Sequence, residues 1–299
     1  MAGNLKRLRI FAAGFGFPAI FVMPVFSFQS ELLTPQTATT SALRMVVGFN
    51  GISLLVRNEQ EVLALKSWQL NRTEQDFQAV ESELRTIFGS ERLLDLHFKT
   101  KTCILSSADS TLVPRRLFDP ENLEQYFKLL LRPKLELTYG FEKLEAFDCY
   151  LVWAVETSLG QLCKSYFSNE NLIHLGGPLL QAYHHLAPVE GYGVFANLRG
   201  QKVHIAVFER RNLVFFNAFE FNKPTDLLYF ILLSYKQFEL NPLEIPLTLS
   251  GTLIEDSEIF RLLFRYVRPL RFPPLPDEFQ LPREAKSLPA HYWFDLATV

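Results

Sequence analysis

The sequence predicts an α/β fold made of two duplicated halves with a cleft between them. Three observations carry the prediction. Residues 194–221 alternate in polarity, are rich in β-branched and aromatic side chains, and turn at Arg199-Gly200 and at 210–212, which predicts three consecutive antiparallel strands. An apolar helical run (227–238) and a short strand (245–249) follow. The same order of strand, strand, strand, helix, strand begins earlier at Leu43, with Gly51 falling on Gly200.

The composition suits that class. Hydrophobic residues make up 48% of the 299, 28 of them Phe, and charged residues 21%, enough material for a large core. With a formal net charge of −2, and no Lys/Arg run read among exposed aromatics, nucleic-acid binding has no electrostatic footprint. Cys103, Cys149 and Cys163 are odd in number and lie in apolar surroundings, so they read as buried thiols of a reducing compartment, and no metal-ligand spacing occurs.

Residues 1–42 read as an N-terminal extension outside the fold, ending in the polar linker 34–41. Lys6, Arg7 and Arg9 before the apolar run 10–26 fit an export signal, a membrane anchor or a start assigned too far upstream, although Gly14, Gly16, Pro18 and Pro24 break any helix there. The first half is placed at 43–133. Its strands are 43–47, 52–57 and 62–70, with Asn50-Gly51 signalling a type I′ hairpin. Thr73 caps a helix whose Phe77, Val80, Leu84 and Ile87 share a face, a fourth strand covers 97–105, and Asp119-Pro120 opens a helix over 121–131.

The second half is placed at 134–272 and includes connecting strands at 135–139, 142–147 and 149–155. A helix over 158–167, a strand over 172–175 and a helix over 179–186 precede the triple strand, and Thr225 caps the helix after it. Residues 273–299 form a Pro-rich tail that wraps the body in extended form. Within it Tyr292-Trp293-Phe294 is either a docking tag or a cluster folded back onto the core.

Candidate chemistry is sparse. Gly176-Gly177 lacks any phosphate-loop context and reads as a helix start. Adjacent helical residues point about 100° apart, so His184 and His185 do not make one ligand pair. Cys103 or Cys163 with His174 reads as buried thiol rather than nucleophile, the Asn71-Arg72-Thr73 triplet reads as a cap rather than a glycosylation acceptor, and Glu121, Glu124, Glu142 and Glu145 are placed on surfaces.

The tandem hairpin-led units resemble the duplicated ribonuclease-H-like architecture of the actin, sugar-kinase and Hsp70 superfamily. The runs Gly51-Ile52-Ser53-Leu54, Leu112-Val113-Pro114 before Leu117-Phe118-Asp119, Phe216-Asn217-Ala218-Phe219 with Asp226-Leu227-Leu228, and Leu247 to Gly251 are similar to an uncharacterised Bacteroidetes family of unknown function with this actin-like ATPase fold. The resemblance implies hairpin turns whose acids hold the Mg²⁺ of a nucleotide while backbone N–H groups cradle phosphate. Here the first turn, 48–51, has no carboxylate, and Asn197 stands where the second would have Asp.

Asn50, Gly51, Asn197, Arg199, Gly200, Ser250 and Gly251 are therefore the candidates for a vestigial cleft, with catalytic and metal residues expected to be none. The functional expectation is a cytoplasmic, non-catalytic actin-like protein that binds another protein, with no cofactor and no nucleic acid. The alternative is a divergent nucleotide-binding ATPase or kinase using ATP and Mg²⁺ with its acid elsewhere, at Asp109 or Glu190. A membrane tether follows only if residues 10–26 are a real anchor.

Overall fold

A computed structural model describes residues 23–59, 61–70, 77–106, 109–128, 136–168, 171–255 and 257–298. Most of the run 10–26, the cap at Thr73, the triplet at 71–73 and the end of the helix expected over 121–131 lie outside the described residues. Among those described, no helix is long and apolar enough to cross a membrane.

A strand β1 (Phe26–Gln29) and a one-turn helix α1 (Pro35–Ala38) lead into β2 (Ala42–Gly48), β3 (Gly51–Arg57), β4 (Val62–Gln69), α2 (Phe77–Ser90) and β5 (Thr100–Leu105). An inserted sheet of β6 (Asp109–Pro114), β7 (Leu137–Leu144) and β8 (Cys149–Glu156) follows, then α3 (Thr157–Tyr166), β9 (Leu172–His174) and α4 (Gly176–Leu186). The remaining elements are β10 (Tyr192–Arg199), β11 (Lys202–Glu209), β12 (Asn212–Glu220), α5 (Pro224–Gln237), β13 (Leu247–Gly251), α6 (Glu258–Tyr266), β14 (Leu270–Arg271) and, in the tail, α7 (Phe294–Ala297).

The duplication is real at the level of topology. One sheet runs β4-β3-β2-β5-β9 with β1 added at its edge, the other β12-β11-β10-β13-β14, so each half orders its strands third, second, first, fourth, fifth. In both, the first and second strands pair antiparallel and the fourth joins the first in parallel. The boundary expected at 133/134 is corrected by this pairing. Strand β9 adds in parallel to β5, so the first half's sheet closes only at His174, a nonlocal pairing that local sequence pattern does not report.

Strand alternation sends each sheet's two faces into different cores. Leu43, Met45 and Val47 pack with Val80, Leu84 and Leu159 on the outer side, while Val46 and Leu55 join Leu179, Tyr183 and Trp293 on the inner side. In the second half Val194, Ile205 and Leu247 meet Leu227, Ile231 and Leu263, and Phe195, Ala206 and Phe208 face inward. Helix α4 and the tail thus form a shared apolar layer between the two sheets.

Several local expectations change. The extension expected outside the fold contributes β1, which pairs with β4, and Ala38 and Ser41 are buried, because an apolar edge strand there shields Leu63 and Leu65. The first hairpin turns on Phe49-Asn50, neither with positive φ, so the Asn-Gly type I′ turn is not formed; left-handed backbone occurs instead at Arg210 and Arg211 (φ 49° and 66°). Helix α5 is capped by the Asp226 carboxylate, which accepts from the N–H groups of Asn222 and Lys223 at 3.1 and 3.0 Å, not by Thr225. The helix expected from 121 is a 3-10 helix over Pro120–Phe127, with Asp119 accepting from Glu121 N at 3.0 Å.

Helix α6 and strand β14 were not expected. Ser257 caps α6 by accepting from Phe260 N at 3.2 Å, and Arg261, Arg265, Arg268 and Arg271 recur every three or four residues among Phe264, Tyr266 and Phe272. The expectation that no Lys/Arg run interleaves with exposed aromatics concerns contiguous runs; these arginines are instead spaced singly, two on α6 and two in the segment after it.

The tail does wrap the body, but it ends inside it. Trp293 is fully buried, Phe294 nearly so, and the Trp293 ring lies 5.3 Å from that of Phe26. Of the two readings of this cluster, folding back onto the core is the one observed. Trp293→Ala should therefore lower stability by about 3–5 kcal/mol in urea unfolding at unchanged m-value. A loss below about 1 kcal/mol would show that the tail is not part of the core.

Candidate functional site

The site follows from the two equivalent hairpins. Strands β2 and β3 end in a turn at Phe49-Asn50, β10 and β11 in a turn at Gly200-Gln201, and the duplication points both tips into one cleft. The tips touch. Asn50 donates from Nδ2 to Gln201 Oε1 (3.3 Å) and accepts from Gln201 N (3.4 Å). Gly200 has φ +57°, and a Cβ there would lie 2.1 Å from Asn50 Cβ, so this turn needs glycine for conformation and for space. Gly51 faces the Trp68 carbonyl, 2.6 Å from where its own Cβ would be.

Beside the tips lies a cleft of about 680 Å³. Phe49, Trp68, Phe221 and Tyr292 supply apolar walls, and Arg199, Lys202 and Glu220 are its charged lining residues. The lining is thus more cationic than acidic.

Behind the cleft the remaining candidates converge on a buried polar network. Arg199 donates from Nε and Nη2 to both oxygens of Asp295 (2.6 and 2.7 Å) and from Nη1 to Ser53 Oγ (2.7 Å). Its side chain is 8% exposed and that of Asp295 0%. Asn197 donates to Ser250 Oγ at 3.0 Å and reaches Asp295 Oδ2 at 3.5 Å, and the Tyr183 hydroxyl shares a 2.9 Å hydrogen bond with Ser250. Burial drives the Tyr183 phenol upward, against the Ser250 hydrogen bond and with help from the Asp295 charge, so it stays a neutral partner. Gly251 (φ +89°) lets the chain turn where a Cβ would sit 2.1 Å from the Leu198 carbonyl.

All seven candidates are therefore gathered: Asn50, Gly51 and Gly200 at the hairpin tips, Asn197, Ser250 and Gly251 buried behind them, Arg199 joining the two groups. Ser53, Tyr183 and Asp295 were missed. Only Asp295 left a sequence signal, a lone acid inside the apolar run 292–297. The alternative acids do not reach the cleft. Asp109 faces Lys202 Nζ at 4.0 Å without lining it, and Glu190 is exposed beyond the opposite end of β10 from Arg199.

The donor set does not suit a magnesium–nucleotide complex. Both oxygens of the buried carboxylate are taken by one guanidinium, and Asn50 and Asn197 offer uncharged amides where hard anionic oxygens are needed. Among the described residues no three His, Cys, Asp or Glu side chains cluster as metal ligands.

The other titratable groups singled out lie outside the cleft lining. His204 is buried with neither ring nitrogen hydrogen-bonded, and desolvation, then His174, Lys202 and Arg199, hold its pKa well below the usual imidazole range. Glu142, expected on the surface, is half-buried and accepts from His174 N; burial raises it to about 7 against that hydrogen bond. Its inward aim follows from the packing of β7 against β9 and α4. Glu121, Glu124 and Glu145 are exposed as expected. Cys103 and Cys163 are buried free thiols, and desolvation followed by Cys163 raises Cys103 well above its ordinary range. Gly176-Gly177 begin α4, and of the adjacent histidines His184 packs on Phe147 while His185 is exposed.

A family model described as a protein of unknown function (DUF3822) matches residues 30–270. No curated protein matches the sequence significantly. Among solved structures, a Bacteroides thetaiotaomicron protein with an actin-like ATPase fold and unknown function superposes with a TM-score of 0.71 at 18% identity, covering 81% of this chain and 94% of that one. The PilM-PilN type IV pilus biogenesis complex provides a match with a TM-score of 0.51 at 12% identity, over 86% of this chain and 94% of that one. At these identities the likeness establishes the fold.

Removing one member of the Arg199–Asp295 pair leaves the other charged and desolvated. Arg199→Met or Asp295→Leu alone should each cost about 3–5 kcal/mol, and the double variant far less than their sum, as read by a denaturation double-mutant cycle. Additive losses would show that the two do not act as a pair.

Proposed function

The chain belongs to the DUF3822 family of proteins of unknown function, and from that membership and its actin-like ATPase fold we propose that it is a non-hydrolysing platform that binds a protein partner. The observation that carries this reading is the contact of Asn50 with Gly200 and Gln201. In the nucleotide-hydrolysing arrangement the sequence resembles, acids of the hairpin turns hold the nucleotide's Mg²⁺ and backbone N–H groups cradle phosphate, whereas here the turns carry no acid and meet each other. The ion pair behind them adds support, because a carboxylate satisfied by a guanidinium has no need of a cation.

A fold does not supply activity without its site. The platform reading draws further support from PilM, a structural relative that is part of the PilM-PilN pilus biogenesis complex. A cytoplasmic setting belongs to the same proposal and is supported by three free, buried thiols. The cleft volume of about 680 Å³ would accommodate a small ligand, so the competing reading is nucleotide binding without the usual metal acids.

Melting the full chain with and without millimolar ATP and Mg²⁺ separates the two. A ligand at 100 times its Kd adds about 2.7 kcal/mol to stability. The platform reading predicts no shift beyond that of Mg²⁺ alone, and a clear nucleotide-dependent rise would establish the competing one.

A further inference from the structure

We propose that the outer face of α6 and the segment after it form the partner-binding surface, and that the partner presents an acidic segment to it. This rests on the platform reading and names the chemistry of its partner. Arg261 and Arg265 stand one turn apart on α6, Arg268 and Arg271 follow, and all four are exposed. None makes an ion pair among the described residues. Phe264 and Tyr266 are 46% and 45% exposed between them, and Leu243, 61% exposed, adjoins because Arg268 N donates to Pro242 O at 2.7 Å.

The aromatic part is continuous. Phe260 stacks with Phe272 and Phe264 at 5.9 and 6.1 Å, and the Arg268 guanidinium lies over the Phe264 ring, 4.6 Å from its centre. Folding explains only part of this face. The helix is anchored from the other side, where Leu263 and Val267 are buried. A cation in the last turn complements the helix dipole, which accounts for Arg265, and Arg268 donates from Nε to the Phe264 carbonyl at the end of the helix (3.0 Å), but neither contact accounts for Arg261 or Arg271. Like charges four residues apart oppose the helix, so Arg261 beside Arg265 is a local cost.

Arginines without carboxylate partners around exposed aromatics match the composition of protein-interface centres, and guanidinium forks bind carboxylates in two-point fashion. Two other polyanion classes fit less well. A lipid-seated helix buries its apolar side in the membrane, and that side of α6 is already buried against α5 and the β10–β13 sheet. The net charge of −2 supplies no overall pull toward nucleic acid.

The test uses the full chain and a short fluorescein-labelled peptide, rich in Asp and Glu with two leucines, read by fluorescence anisotropy at low salt. Arg261→Glu/Arg265→Glu should weaken binding about tenfold or more, while the control Arg116→Glu/Lys286→Glu, with the same change in net charge, should leave it within about twofold. Phe264→Ala should also weaken it, and unchanged melting temperatures establish that the variants are folded. Equal losses in both charge reversals, no binding of the peptide, or tighter capture by phosphatidylserine vesicles or by an oligonucleotide would overturn the proposal. Any of these would leave the platform reading standing, because that reading is decided by the nucleotide melt.

Discussion

The arrangement of this molecule depends on one buried ion pair. Arg199 comes from the end of the second half's first strand, Asp295 from the chain's last helical turn, and Ser53, on the first half's second strand, takes the remaining guanidinium N–H. Neither charge is tolerable alone in so desolvated a place. The three segments are thus held to one another behind the hairpin tips. A buried pair of this kind is weak support for net stability, because apolar residues of the same volume would do as well. Its consequence is specificity: the halves close in one register, with the tail between them.

The two equivalent hairpins meet at their tips. Topology keeps both tips aimed at a common cleft, but an amide-to-glycine contact joins them and cationic side chains outnumber acids in the lining. The layer behind is polar where apolar packing would avoid desolvation, with His204 and the Asn197 Oδ1 lacking partners among the described residues. The unsatisfied chemistry on the outside lies elsewhere, on the arginine and aromatic face of α6.

Much of the fold was legible in the sequence because it is written in local periods. Alternation fixed β10, β11 and β12 to within a few residues, and the three-four spacing of Val80, Leu84 and Ile87 located α2. Gly200 and Gly251 were identifiable as special, and both need positive φ and empty space. Pairings across long stretches were not legible: β1 joins β4, β9 joins β5, and each carries too few residues to show a period. Asp295 escaped for the same reason, since only tertiary structure brings an acid from the tail to Arg199. The arginines of α6 were overlooked because a helical spacing hides a charged face from a search for contiguous runs.

The central claim is that the halves are locked by Arg199 and Asp295 and do not open for nucleotide. It is tested most directly by measuring the distance between them with paired spin labels. Ser82→Cys on α2 and Gln237→Cys on α5 provide exposed sites, while the native cysteines are buried. The account predicts one narrow distance distribution, identical with and without ATP and Mg²⁺, that broadens when Asp295→Ala is added. A second distance appearing with nucleotide, or a distribution unaltered by Asp295→Ala, would contradict it.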